Sequence, residues 1–155
     1  MAVTGLSDAE QKKAVECLNR ILETELAGVV RYMHYSLMVF GHARIPITEW
    51  MRSQASESLT HAALAGEHVT SLGGHPSLSI GKLLETHQHD IDAMLRESME
   101  HEQRGTEDYR QLLDLVKDKN IMLEEYARKM LHDEEVHLAE VEKMLRRPGK
   151  LEVVK

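Results

Sequence analysis

Four stretches of this chain repeat apolar residues every third or fourth position, and that spacing restricts the fold more than any other feature. In the first, Leu18, Ile21, Leu22, Val29, Tyr32, Tyr35 and Val39 fall on one helical face. Ser7 followed by Glu10 forms a capping-box pair that starts this helix, and Gly41 ends it. After the link "ARIPITEW", a second helix is expected from about Thr48 to Leu72, stopped by "GGHP". A longer connection, "GGHPSLSIGK", leads to a third helix over roughly Leu83 to Val116, with Ile91, Leu95, Met99, Thr106, Tyr109 and Leu113 in its stripe. "KDKN" is a turn, Asn120 is the next N-cap, and a fourth helix runs to about Arg146, closed by Pro148 and Gly149. The expected fold is all-α: a four-helix bundle with a long crossover between helices two and three, in one domain over residues 1–155.

Composition agrees. Aromatic residues are 4% of the chain and there are three prolines, which favours helix over sheet. The net charge of −7 leaves no basic stripe to neutralise phosphates, so nucleic acid is not an expected partner. The single cysteine, Cys17, cannot form an internal disulfide and suits a reducing compartment. The N-terminal "MAVTGLSDAEQ" has no secretory pattern, and no apolar run reaches the roughly 18 residues of a membrane span, so a cytoplasmic protein is expected.

The stripes have polar interruptions. The first lands on Glu25 and the third on Glu102. The fourth lands on Glu134 and His137, and the second, read through positions 50, 54, 57, 61, 64, 68 and 72, lands on Gln54, Glu57, His61 and His68. An unpaired buried carboxylate costs several kcal/mol. Four of them would outweigh the roughly 5–15 kcal/mol stability of a domain. The same stripes carry no Lys or Arg to compensate, so two divalent cations are the simplest balance. Oxygen ligands with some imidazole suit iron or manganese, and the lack of inward cysteines argues against structural zinc. Of the ten histidines, His42, His75, His87, His89 and His132 are read as surface or turn residues and His101 as exposed, with His34 and His68 left open. Glu100 is the alternative to Glu102 if the third helix is rotated.

A Glu from each of two helices with Glu-x-x-His from the other two is the ferritin-like di-metal pattern. "LNRILETELAGVVRYMHYSL", "LGGHPSLSIGKLLETHQHDIDAMLRESMEHE" and "MLHDEEVHLAEVEKML" resemble bacterioferritins in their first helix, their second-to-third connection with the third helix, and their fourth helix. The resemblance implies Glu25, Glu102 and His137 as metal ligands and Glu134 as a bridging carboxylate. Tyr32 would be the supporting tyrosine and the candidate catalytic side chain. Three departures accompany it. Where the family has Glu three residues before His61, this chain has Ser58, and the nearest acid is Glu57, four residues before. Leu59 stands where the family has its haem-ligating methionine, so haem is not expected. "RRPGKLEVVK" is too short and polar for the family's fifth helix, which disfavours a storage shell. The expected function is a di-iron ferroxidase using dioxygen or peroxide, in a homo-oligomer of at least two chains. The competing readings are an iron-storage subunit, a di-manganese enzyme that disproportionates peroxide, and a metal-free interaction bundle.

Overall fold

A computed structural model describes residues 5–83 and 85–154. It contains four helices: α1 (Asp8–Met38), α2 (Arg44–Ser71), α3 (Ile91–Val116) and α4 (Ile121–Leu145). No strand occurs among the described residues. Both halves of the capping box at Ser7 and Glu10 are formed. Asp90 and Asn120 cap α3 and α4 by accepting from the backbone amides of Ala93 and Leu123. None of the helices is long and apolar enough to cross a membrane.

Two boundaries differ from the sequence reading. α2 begins at Arg44, earlier than Thr48, because Pro46 lies in the first turn, where its missing N–H is not needed. α3 begins at Ile91, later than Leu83, because Asp90 supplies the cap. The crossover therefore runs from residue 72 to 90. It is tied to α1 by Gly81, whose amide donates to the Glu23 carbonyl at 2.8 Å, and by Ser77, whose amide donates to Asn19 Oδ1 at 2.8 Å. A Cβ at position 81 would lie 3.0 Å from that carbonyl oxygen, so glycine permits the approach.

α1 packs along α2, α3 along α4, and α1 against α3. The core is split in two. Leu18, Ile21, Ala65, Val69, Leu112 and Leu123 belong to one apolar cluster, and Tyr32, Tyr35, Met51, Ala55 and Met94 to the other. Along α1, α2 and α3, Glu25, His61 and Glu102 fall between residues of the two clusters, and on α4 Glu134 follows the last residue of the first cluster.

α2 shows a second correction. Its buried residues are Thr48, Met51, Ala55, Ser58, Ala62, Ala65 and Val69, one position out of phase with the predicted stripe. Small side chains form that face because α1 lies close to it. A Cβ on Gly28 would come within 2.9 Å of Ser58 Oγ.

Candidate metal centre

Glu25 comes from α1, Ser58 and His61 from α2, Glu102 from α3, and Glu134 and His137 from α4. Glu25 and Glu134 converge on one imidazole, each with a carboxylate oxygen 3.4 Å from His61 Nδ1. Donor atoms of Glu25, His61 and Glu134 all lie within 4.8 Å of one another, a spacing that can hold a metal ion. Beside this triad, Tyr32 donates to Glu102 Oε1 at 2.6 Å and lies 3.0 Å from His137 Nε2. His137 Nε2 is 3.6 Å from the same Glu102 oxygen. The Trp50 ring runs parallel to His137 with centroids 5.9 Å apart.

Glu57 sits at the rim. Its side chain is 51% exposed, against 11% for His61, and Oε1 lies 3.8 Å from His61 Nε2. The one-residue rotation of α2 puts Ser58 into the interior and turns Glu57 toward the mouth of a cleft. That cleft is also lined by Gln54, Glu102, Asp133 and His137, and it opens along the seam between α2 and α4. Glu100 turns away to pair with Arg104 on the surface at 2.9 Å.

The electrostatics follow from burial. Glu25 and Glu134 are 8% and 5% exposed, and desolvation raises both carboxyl groups above their ordinary range. Glu102 is pushed up to about 8, first by burial and then by the Glu134 charge. Burial alone would lower His61, but hydrogen bonds and charge from Glu134 and Glu25 outweigh it and raise the imidazole to about 10. Among the described residues the ion pairs of these three enclosed carboxylates all go to histidines. In the metal-free protein, protons therefore supply the compensating positive charge.

A family model described as the ferritin-like domain matches residues 15–150. The chain belongs to the ferritin-like family. A ferritin-like, di-iron carboxylate protein from Bacillus anthracis str. Ames superposes with a TM-score of 0.84 at 24% identity, covering 91% of this chain and 100% of that one. A dodecameric thioferritin from Bacteroides fragilis, a bacterioferritin-related protein, gives 0.81 at 22% identity, covering 87% and 85%. The Desulfovibrio desulfuricans bacterioferritin, studied for its di-iron site, gives 0.75 at 26% identity, covering 88% and 80%. No curated protein matches the sequence. The bacterioferritin-like character read from the helix motifs thus recurs among the structural neighbours.

Three groups of this ferritin-like chain escaped the sequence reading. Tyr109 donates to Glu25 Oε1 at 2.7 Å, mirroring Tyr32 on the other side of the site. Its place in the α3 stripe was legible, but its hydroxyl partner was not. His101, read as exposed, is buried, and burial together with the nearby Arg31 and Arg104 charges lowers it to about 4. Arg31, on the flank of the α1 stripe, is buried and pairs with buried Glu97 at 3.1 Å, while Tyr35 donates to Glu97 at 2.6 Å. The interior therefore does contain an arginine. Its charge is committed to Glu97, which lies five residues before Glu102 on α3.

Proposed function

We propose that this chain binds two iron ions between its helices and oxidises Fe(II), with dioxygen or peroxide as the oxidant. The observation that carries the reading is the buried Glu25–His61–Glu134 triad, with donor atoms within 4.8 Å of one another, beside the Glu102–His137 pair. These donors fit the group. Three enclosed carboxylates have raised proton affinity, and hard divalent cations are the natural replacement for the protons they hold. Glu25 and His61 would hold one ion, Glu102 and His137 the other, and Glu134 would lie between them. Glu57, at the rim, would complete the first site after a side-chain rotation, in place of the acid that Ser58 lacks. Iron would supply the one-electron chemistry.

The chain's own residues set the conditions for that chemistry. His61 and Glu102 must lose protons when cations arrive. Tyr32 fixes the orientation of Glu102 and His137, and Tyr109 does the same for Glu25. The apolar clusters at either end exclude water, and the α2–α4 seam is the route by which ions and oxidant reach the cleft. Haem is not proposed, because Leu59 is 55% exposed on the outer face of α2 and offers no ligand atom.

Self-association belongs to the same proposal. Val30, Met33 and Leu37 form an exposed apolar stripe on α1, Phe40 just beyond its end is exposed too, and so are Leu78, Ile80 and Leu83 of the crossover. A second copy of the chain is the occupant such a face suits, and the Bacteroides fragilis neighbour is dodecameric.

The test is an anaerobic Fe(II) titration of the metal-free protein, then exposure to air, with absorbance and light scattering recorded together. A break at two irons per chain and an absorbance change on aeration that is lost in Glu134→Ala are expected. Absence of a break sinks the reading. Uptake far beyond two irons per chain replaces oxidation alone with storage.

A further inference from the structure

A second cluster of ligand-type side chains lies away from the buried centre. His34 is nine residues beyond Glu25 on α1, about 14 Å along the axis at 1.5 Å per residue. Facing it is the crossover segment Glu85, His87 and His89. His34 Nε2 lies 3.0 Å from Glu85 Oε2, His89 Nε2 lies 3.6 Å from Glu85 Oε1, and the donor atoms of all three residues fall within 4.8 Å of one another. Donor atoms on a tetrahedral zinc are about 3.3 Å apart for bonds of about 2.0 Å, so these side chains are near enough for one cation to gather them.

Three further observations point to a cation. His89 Nε2 is buried and makes no hydrogen bond, although it is aimed at the cluster. Glu85 pairs with three imidazoles, His87 Nδ1 being the third at 3.9 Å, and with no lysine or arginine among the described residues. The neighbouring Arg31 and Glu97 are engaged with each other at 3.1 Å, so neither replaces the missing charge. The residues line a cavity of about 270 Å³ whose other walls include Val30, Tyr35 and Leu83.

We infer that His34, Glu85 and His89 form a separate binding site for one divalent first-row cation of the zinc type, with the fourth position turned toward His87 at the mouth. Two imidazoles and one carboxylate suit zinc and its neighbours in the series better than magnesium or calcium, which take oxygen ligands. The bound ion clamps the crossover onto α1. It thereby holds a non-helical segment in which His87 adopts a left-handed φ of 57°. The site stands whether or not the buried centre takes iron, because it shares no residue with that centre.

The test uses the full chain and counts tightly bound Zn²⁺ by competition with a chromophoric chelator. Wild type is compared with His34→Ala/His89→Ala and with the milder His34→Gln/His89→Gln. Neither histidine belongs to either apolar cluster, and circular dichroism verifies folding of each variant. Both double variants are expected to lose one zinc equivalent per chain. Co²⁺ provides the second readout, in a Glu25→Ala/Glu134→Ala background that disables the buried centre: a visible ligand-field band should persist there and vanish when either pair of histidine substitutions is added. An unchanged zinc count in both histidine variants, or a cobalt band that survives them in the Glu25→Ala/Glu134→Ala background, overturns the inference.

Discussion

Glu102→Gln should stabilise the metal-free protein, and increasingly so as pH rises. Glu102 holds its proton to about 8 in the folded chain, against an ordinary value of 4.5. A carboxyl raised in this way contributes its stability below the unfolded value, where it is protonated in both states. That contribution is lost as pH rises through the folded value. At about 1.4 kcal/mol for each pH unit, the interval sets a ceiling of about 5 kcal/mol, reached above pH 8. The side chain is 12% exposed, so solvent screening removes little of it. Glutamine mimics the protonated acid: its carbonyl can still accept from Tyr32 and its amide can donate to Glu134. His61, raised to about 10, also costs stability as pH climbs, but it does so in both proteins. The assay is urea unfolding followed by far-ultraviolet circular dichroism, with chelator present, from about pH 5 to pH 9. The gap between variant and wild type should widen from near zero to several kcal/mol. Parallel curves, or a gap that narrows with pH, would refute the reasoning. Added metal should reverse the order, because the variant has lost a ligand.

Arg31→Met should cost about 3–5 kcal/mol by leaving Glu97 buried and unpaired, and adding Glu97→Leu should recover most of that loss in thermal or urea unfolding. Loading the centre at pH 7 should release about two protons per chain, because His61 (about 10) and Glu102 (about 8) both hold protons there; calorimetry in buffers of different ionisation enthalpy counts them, and release well below one contradicts the assignment. Tyr32→Phe removes the donor to Glu102 and should destabilise the metal-free chain by about 1–3 kcal/mol while slowing Fe(II) oxidation; unchanged stability and rate would deny the hydroxyl its orienting part.

The periodic pattern was enough to read the helices and the faces of α1 and α4. On those helices Leu18, Ile21 and Tyr32, or Leu123, Ala127 and Met130, are large or apolar residues that must be buried, so Glu25 and Glu134 stood out as exceptions to a clear rule. The same logic failed on α2. There the buried face carries Ala55, Ser58, Ala62 and Ala65, while Leu59 and Leu64 point outward. Hydrophobicity alone ranks the leucines as interior. The close approach of α1 at Gly28 admits only small side chains, and the outward leucines lie on a face left bare in a single chain.

Local sequence therefore determined the number of helices, the N-terminal caps of α1 and α4, and the acids and imidazoles available to a metal. Tertiary packing decided the rest. It set the one-residue rotation that exchanges Glu57 for Ser58 in the interior, and it buried Arg31 against Glu97 and enclosed His101. It also folded the crossover back so that Glu85 and His89 meet His34 across half a hundred residues of chain. Periodicity encodes which side of a helix is apolar. It carries no information about how near a neighbouring backbone comes, or about which distant loop brings charge to a surface that looks solvated from its own helix.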